Sequence, residues 1–344
     1  MVTTSNDLLS FTNKILFPSP FPLDLPLFTI DDSWYIIGKG KTGIVMSSPN
    51  HKTVIKLIAT QSDKIGHLRG ANFLSNPAWN EILLAPFCCF QFHQIIHFPV
   101  IHGFHLVDYP LAAIKVQEEG IVCQNAEKYC TGLLMEMVTC SFSDIIKCKV
   151  DTFLDTSILQ HLLFQIWFTI LVLQKYDICH YDLHASNIMI TILDKSDPLT
   201  YTSWKYVING KTYILPACHL VFKLMDTSIS AKYSERTIYL KQLEGIYAKK
   251  YGLYPEMQKG YDWSLVLNIF YLSQNRLKNI SFTSLITKMC CHWASVSDID
   301  LFQKMFINNR PTSTLFHKSP NDFIFDSFSS DIPDDTPIIT IGSI

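Results

Sequence analysis

The stretch LLFQIWFTILVL, from Leu162 to Leu173, lies inside a helical pattern that runs from Ser157 to Lys175. A helix with apolar side chains on all of its faces has to be enclosed by other elements of the protein. The stretch falls short of the ~18 apolar residues that a membrane span needs, and Gln165 interrupts it. We therefore expect a buried helix in a larger, mainly helical unit.

The sequence upstream of this helix has a different pattern. From Trp34 to Ile58 it consists of short β-rich runs, WYIIG, GIVMS and TVIKLI, separated by Gly-rich or Pro-Asn-His turns, which is typical of an antiparallel sheet. Residues 71–85 favour a helix, and residues 95–107 and 131–138 favour further strands. Trp263 to Leu272 is apolar enough for a second buried helix. The predicted class is α+β.

These patterns divide the chain into four parts. Residues 1–30 carry the proline cluster PSPFPLDLP and favour an extended segment on the surface. Residues 31–138 form a small β-rich lobe, and residues 139–317 form a larger helical lobe. Residues 318–344 are rich in Ser, Asp and Pro and favour a weakly ordered tail.

Composition limits the compartment and the partners. The 28 basic and 30 acidic residues nearly cancel, so charge gives no support for nucleic-acid binding. The ten cysteines contain no C-x-x-C motif and no regular disulfide framework, and the N-terminus shows no secretory signal. We expect an intracellular protein of the cytoplasm or nucleus, without a membrane partner.

A glycine-rich motif, Gly38-x-Gly40-x-x-Gly43-x-Val45, lies between two of the predicted strands. Missing side chains let backbone amides approach nucleotide phosphates closely. Taken alone, the motif is more often an ordinary hairpin turn. A dinucleotide-binding turn is disfavoured because a strand follows, not a helix.

Lys56 lies inside the predicted strand TVIKLI. A strand would hold its ammonium under the glycine-rich motif, against the α- and β-phosphates of a nucleotide. Glu81, in WNEILL, is the carboxylate that would orient this lysine from a helix. The alternative is that both side chains are simply solvated.

The segment HYDLHASNIMI, residues 180–190, follows the long apolar helix. Asp182 can act as a base toward an attacking hydroxyl, and Asn187 can offer an amide oxygen to Mg²⁺. Asp226 ends an apolar run and supplies a second metal ligand. Asp262, in YDWSLVL, can accept backbone hydrogen bonds from this segment, cap a helix, or do both.

Taken in order, GKGKTGIV, VIK, NEILL, LLMEMV, HYDLHASNIMI, LMDTS and YDWSLVL resemble the eukaryotic protein kinase superfamily over residues 34–317. The resemblance implies a two-lobed kinase fold that binds ATP and Mg²⁺. LLMEMV resembles the hinge between the lobes. The resemblance therefore implies that Met135 is the gatekeeper side chain. The backbone of Glu136 and Val138 would bind adenine, and the side chains of Val45 and Val54 would cover the adenine faces.

Residues 204–230 are similar to the haspin group, which shares an Asn-Gly-Lys hairpin, a Pro-x-Cys turn and an aspartate not followed by Phe-Gly. Similar insertions occur in serine/threonine kinases of large DNA viruses. The resemblance implies phosphoryl transfer to Ser or Thr of a protein substrate by a monomeric enzyme. A viral enzyme would act in the host cell.

Three departures from the family pattern bear on mechanism. Tyr181 replaces the arginine that usually receives an activation-loop phosphate, so we expect activity without loop phosphorylation. His184 replaces the usual lysine and is a weaker cation toward phosphate. Thr227 and Ser228 replace Phe-Gly after Asp226. A nucleotide-binding or partner-binding pseudokinase scaffold and a small-molecule phosphotransferase are the alternatives.

Overall fold

The computed structural model describes residues 27–28, 30, 33–39, 43–50, 52–58, 95–108, 129–148, 155–227, 230–232, 260–277, 279–307, 310–311 and 337–344. Over these ranges the chain combines mainly antiparallel sheets with several helices. The predicted α+β class is confirmed.

A six-stranded sheet occupies the first part of the described chain. Its strands are β1 (Leu27–Phe28), β2 (Tyr35–Lys39), β3 (Gly43–Ser47), β4 (Thr53–Ile58), β5 (Ile101–Asp108) and β6 (Tyr129–Glu136). They are arranged in the order β1-β5-β6-β4-β3-β2, and all neighbours are antiparallel except β1 and β5. The three strands predicted between Trp34 and Ile58 are confirmed. One face of the sheet carries a cluster of buried apolar side chains, namely Ile30, Ile44, Met46, Ile55, Leu57 and Val107.

Several predicted boundaries differ from the structure. The strand predicted at 95–107 begins only at Ile101, because the side chain of His97 is buried and its carbonyl accepts from the amide of Leu224 at 2.9 Å. The strand predicted at 131–138 ends at Glu136, since the amide of the next residue turns toward the β3–β4 connection. The helix predicted at 71–85 lies outside the described residues.

The end of the predicted N-terminal extension, residues 1–30, belongs to the folded body. Leu27 and Phe28 pair in parallel with β5, and the side chain of Ile30 is buried in the sheet's apolar cluster. The surrounding prolines conceal this two-residue strand in the sequence, because they interrupt any alternating pattern.

Five α-helices are described after the sheet. They are α1 (Phe142–Cys148), α2 (Thr156–Lys175), α3 (Tyr261–Leu277), α4 (Ile280–Ala294) and α5 (Ile299–Lys304), with one 3₁₀ turn at Pro198–Thr200. The second buried helix, predicted from Trp263 to Leu272, is confirmed within α3. Apolar side chains of α1 to α5 join one large core cluster.

Helix α2 lies at the middle of this cluster. Asp155 caps its first turn by accepting from the amide of Ser157 at 2.9 Å, and residues 161–173 are all buried. By length and composition α2 would also pass as a membrane span, but 78% of its most apolar window is buried inside the protein. The prediction of a buried helix is confirmed.

Three small sheets pack in the same part of the chain. One has the order β12-β9-β7, formed by Leu220–Leu224, Ile188–Ile192 and Cys140–Ser141. The second pairs β8 (Ile178–Cys179) with β13 (Ala231–Lys232), and the third pairs β14 (Phe306–Ile307) with β15 (Arg310–Pro311). The antiparallel β9–β12 pair is important for the site, because Asn187 immediately precedes β9 and Asp226 closely follows β12.

A further three-stranded sheet contains β10 (Ser203–Ile208), β11 (Lys211–Leu215) and β16 (Ile338–Ser343). Asn209 and Gly210 connect β10 to β11 with φ angles of 49° and 79°. Two adjacent left-handed residues are typical of a type I′ hairpin turn, for which Asn-Gly is a preferred sequence. The expected Asn-Gly-Lys hairpin is confirmed.

The third strand of this sheet corrects the prediction of a weakly ordered tail over residues 318–344. Residues 338–343 form β16, which runs parallel to β10, and the side chain of Ile341 is buried. The Ser-, Asp- and Pro-rich composition upstream conceals the final apolar run IITIGSI, which satisfies its backbone on the open edge of β10. Residues 318–336 lie outside the described ranges.

Candidate functional site

The β9–β12 pair brings two of the predicted metal ligands to one end of a small sheet. In its register Ile188 lies opposite Leu224, and the amide of Met225 approaches the carbonyl of Asn187 at 3.4 Å. The side chain of Asn187 and the carboxylate of Asp226 therefore emerge from the same end of the pair.

Lys56 reaches this end from the six-stranded sheet. Its Nζ lies 3.5 Å from Oδ1 of Asp226, and the two side chains are 13% and 29% exposed. Asp226 has a φ of 63°, a left-handed conformation that costs a non-glycine residue about 1–2 kcal/mol. Such strain is often found at functional sites, where the surrounding structure holds a side chain in a required direction.

Asn187 connects the metal ligands to the predicted base. Its Nδ2 donates to the carbonyl of Asp182 at 2.9 Å, and its backbone amide donates to the carbonyl of His184 at 2.8 Å. Because the amide nitrogen is used in this way, Oδ1 is the atom that Asn187 can offer to a cation. The carboxylate of Asp182 is 23% exposed and remains accessible to a substrate.

Asp262, the second residue of α3, anchors the loop of residues 180–187 that connects β8 to β9. It accepts hydrogen bonds from the amides of His180 at 2.7 Å and Tyr181 at 2.9 Å, and from the thiol of Cys179 at 3.2 Å. Burial raises the pKa of Asp262, and these three donors act in the opposite direction. The predicted acceptor role of Asp262 is confirmed, whereas the helix-cap alternative is not, because the helix begins at Tyr261.

His180 links the loop to the Asp226 segment. Its Nδ1 accepts from the amide of Asp182 at 3.3 Å, so Nε2 carries the proton that is donated to the carbonyl of Met225 at 2.9 Å. Tyr181 is buried, has a φ of 63° and packs against Tyr261 with ring centroids 5.5 Å apart. Burial raises the pKa of Tyr181 and keeps its hydroxyl neutral, and a tyrosine side chain has no positively charged form.

His184 lies at the open side of the loop. Its side chain is 48% exposed, and Nε2 is 3.9 Å from Oδ2 of Asp182. Nδ1 accepts from the amide of Ser186 at 3.2 Å, which leaves the N–H on Nε2 in the neutral ring. The histidine thus directs its donor toward the side of the loop where Asp182 lies.

The predicted nucleotide-covering side chains share the face of the six-stranded sheet that is turned away from its apolar cluster. Opposed residues of antiparallel strands point to the same face, and alternate residues along a strand do too. Val45 lies opposite Lys56, and Val54 lies opposite Met135. The face of Lys56 therefore includes five side chains: Val45, Val54, Lys56, Leu133 and Met135.

The glycine-rich motif is described only in part. Gly38 pairs with Val45 on the β2–β3 hairpin, and Gly43 begins β3. Gly40 and Glu81 lie outside the described residues, as does Ser228. The predicted Lys56–Glu81 pairing therefore stays a prediction.

Glu136 lies at the predicted hinge. Its amide donates to the carbonyl of Val100 at 2.9 Å, so its backbone can at most offer a carbonyl to adenine. The carboxylate of Glu136 accepts from the amide of Val100 and from Lys223. Val138 follows the end of β6, and within the described ranges its amide makes no hydrogen bond.

Lys223 is a residue of this region that the sequence predictions missed. Its side chain is only 9% exposed, and its Nζ lies 2.6 Å from Oε1 of Glu136. The lysine inside the apolar run LVFKLM is the sequence feature that could have indicated an ion pair here, because a buried ammonium requires a partner.

Asn187 and Asp226 fit a Mg²⁺ site that is completed by water and substrate phosphates better than a metal site made of protein ligands alone. In the described part of the chain, no group of three or more His, Cys, Asp or Glu is arranged to hold a metal ion. Mg²⁺ commonly uses one or two carboxylates, several waters and substrate phosphates. An amide oxygen from Asn187 and a carboxylate from Asp226 match that donor set.

Neither models of known protein families nor curated proteins give a match to this sequence. The kinase resemblance therefore rests on the motifs themselves and on the contacts that their residues make.

Proposed function

We propose that this chain is an ATP-dependent protein kinase with a two-lobed kinase-like fold, which transfers the γ-phosphate of ATP to Ser or Thr hydroxyls of a protein. The observation that carries the proposal is the contact of Lys56 with Asp226. It joins the face of the six-stranded sheet that carries Lys56 to the β9–β12 pair, where Asn187 and Asp182 are linked by a hydrogen bond.

Each of these residues has a distinct role in the proposed reaction. Lys56 binds phosphate oxygens of ATP, and Asp182 accepts the proton of the attacking hydroxyl. The hydroxyl oxygen bonds to the γ-phosphorus while the bond from that phosphorus to the bridging oxygen breaks, and ADP leaves. Asn187 and Asp226 would hold Mg²⁺, which neutralises phosphate charge when bound.

The contacts of the loop support activity without activation-loop phosphorylation. Asp262 already fixes the amides of His180 and Tyr181, and His180 fixes the carbonyl of Met225. An activation-loop phosphate orders a kinase by pairing with a cation. Tyr181, which is neutral and buried, occupies the position where the family usually has that cation. His184 offers an N–H donor beside Asp182 in place of the usual lysine.

The test uses unphosphorylated full-length protein, radiolabelled ATP and Mg²⁺ on an array of peptides. Phosphoserine or phosphothreonine on a subset of peptides is the expected result. ATP binding without transfer to any peptide or protein would favour the scaffold alternative. Transfer to small molecules alone would favour the phosphotransferase alternative, and activity that appears only after loop phosphorylation would contradict the constitutive mechanism.

A further inference from the structure

A partly buried ion pair connects two strands that belong to different sheets. Lys223 lies on β12, and Glu136 is the last residue of β6. Their side chains are 9% and 24% exposed, and Nζ of Lys223 lies 2.6 Å from Oε1 of Glu136. Burying two charges is expensive, so a short, shielded pair has to be well oriented to be tolerated.

The segment from His97 to Val100 completes the connection. The amide of Glu136 donates to the carbonyl of Val100 at 2.9 Å, and the carboxylate of Glu136 accepts from the amide of Val100 at 2.9 Å. On the other side, Lys223 donates to the carbonyl of Phe98 at 3.4 Å, and the amide of Leu224 donates to the carbonyl of His97. The segment is thus fastened to β6 at one end and to β12 at the other, with the ion pair spanning both.

The positions of the two partners relate this connection to the proposed site. Glu136 directly follows Met135, at the predicted adenine end of the site, and Lys223 precedes Asp226, the predicted metal ligand, by three residues. No strand ladder runs between β6 and β12. The ion pair and the 97–100 segment therefore help to set the distance between the adenine end and the metal end, together with the Lys56–Asp226 contact and the pairing of β7 with β9.

We propose that Lys223 is a positioning residue that helps to fix this distance, so that adenine and the metal-bound phosphates of one nucleotide are held simultaneously. The inference rests on the proposed kinase function. A bidentate ligand gains affinity only when both subsites are held at the matching separation. Loss of the connection weakens the binding of the complete nucleotide, whereas each subsite keeps its affinity for its own part of the nucleotide.

The test is isothermal titration calorimetry of the full-length protein with Mg·ADP and with adenosine, which reaches only the adenine end. In Lys223→Met the Kd for Mg·ADP should rise about tenfold or more, while the Kd for adenosine should stay within about twofold. Glu136→Gln, made alone, keeps an acceptor for both Lys223 and Val100 and should retain most of the wild-type affinity for Mg·ADP. Lys195→Met removes an exposed lysine and serves as the matched control.

Removing Lys223 alone leaves a carboxylate without its cation. If that variant does not fold, Lys223→Met combined with Glu136→Gln breaks the same connection without an unpaired charge. Unchanged Mg·ADP affinity in a folded variant, or a parallel loss of adenosine and Mg·ADP binding, would overturn the inference and leave the kinase proposal standing. Wild-type protein that binds neither ligand would overturn both.

Discussion

The ammonium of Lys56 lies 3.5 Å from Oδ1 of Asp226, so a strand of the six-stranded sheet and the segment after β12 meet through a charged contact. Phosphate oxygens bound here would lie between a cation and a metal-binding carboxylate. In this arrangement the lysine can stabilise phosphate charge, and the aspartate can hold Mg²⁺.

Lys56→Met should lower kcat/KM for ATP by about 100-fold, because it removes the cation that faces the transferring phosphates. The measurement is steady-state kinetics on a peptide substrate, together with a denaturation curve to show that the variant folds. Lys52→Met, which removes an exposed lysine just before the same strand, is the control. Equal losses in the two variants would contradict the assigned role.

Asp262→Ala should lower the free energy of unfolding by about 3 kcal/mol, because two buried backbone amides and a thiol lose their acceptor. Urea denaturation followed by circular dichroism measures this change. Asp300→Ala removes an exposed carboxylate in the first turn of α5 and should cost far less. Similar costs for both variants would show that the loop does not depend on Asp262.

Stability should fall as the pH falls from 6.5 toward 3, because His97 and His161 are buried in the neutral form. Burial lowers the pKa of His97 to about 3 and that of His161 to about 4. In this window the unfolded chain binds protons that the folded chain excludes, so each histidine can contribute up to about 1.4 kcal/mol per pH unit.

Urea denaturation at pH 7.0 and 5.5, values that lie above and below the usual histidine pKa of about 6.5, measures this dependence. His97→Gln should reduce the slope by one histidine's contribution, whereas His102→Gln removes an exposed histidine and should leave it unchanged. A slope that is the same in all three proteins would contradict the assignment.

Ile341→Ala should lower the free energy of unfolding by about 2–4 kcal/mol, the usual cost of removing a buried isoleucine side chain. Ile341 lies in β16 and is 2% exposed, whereas Ile338 in the same strand is 49% exposed. Ile338→Ala is therefore a matched control with a small expected effect. Equal effects would indicate that β16 does not pack on the core as described.

Features with a local cause could be predicted from the sequence. Helix α2 was predicted from Ser157 to Lys175 and runs from Thr156 to Lys175. Its continuous apolar run indicated a helix that is buried on all of its faces. The β10–β11 hairpin was predictable because Asn209 and Gly210 favour the backbone angles of its turn. Asp182, Asn187 and Asp226 were predicted as site residues from their order and spacing.

Features that depend on distant partners could not be predicted. Nothing near Glu136 indicates that its carboxylate meets Lys223, and nothing near Ile338 indicates a parallel partner on β10. Lys56 and Asp226 were each predicted, but their contact depends on how two sheets pack. Alternating patterns specify which face a side chain occupies, not which element lies against that face.

The most direct test of the proposed function is phosphoryl transfer from radiolabelled ATP by wild type, Asp182→Asn and Asp194→Asn. Asp182→Asn removes the proposed base, whereas Asp194→Asn changes an exposed carboxylate after β9. We expect transfer to Ser or Thr by wild type and Asp194→Asn, and a loss of about 100-fold or more in Asp182→Asn. Equal transfer by wild type and Asp182→Asn, or no transfer by wild type in the presence of Mg²⁺, would contradict the proposed function.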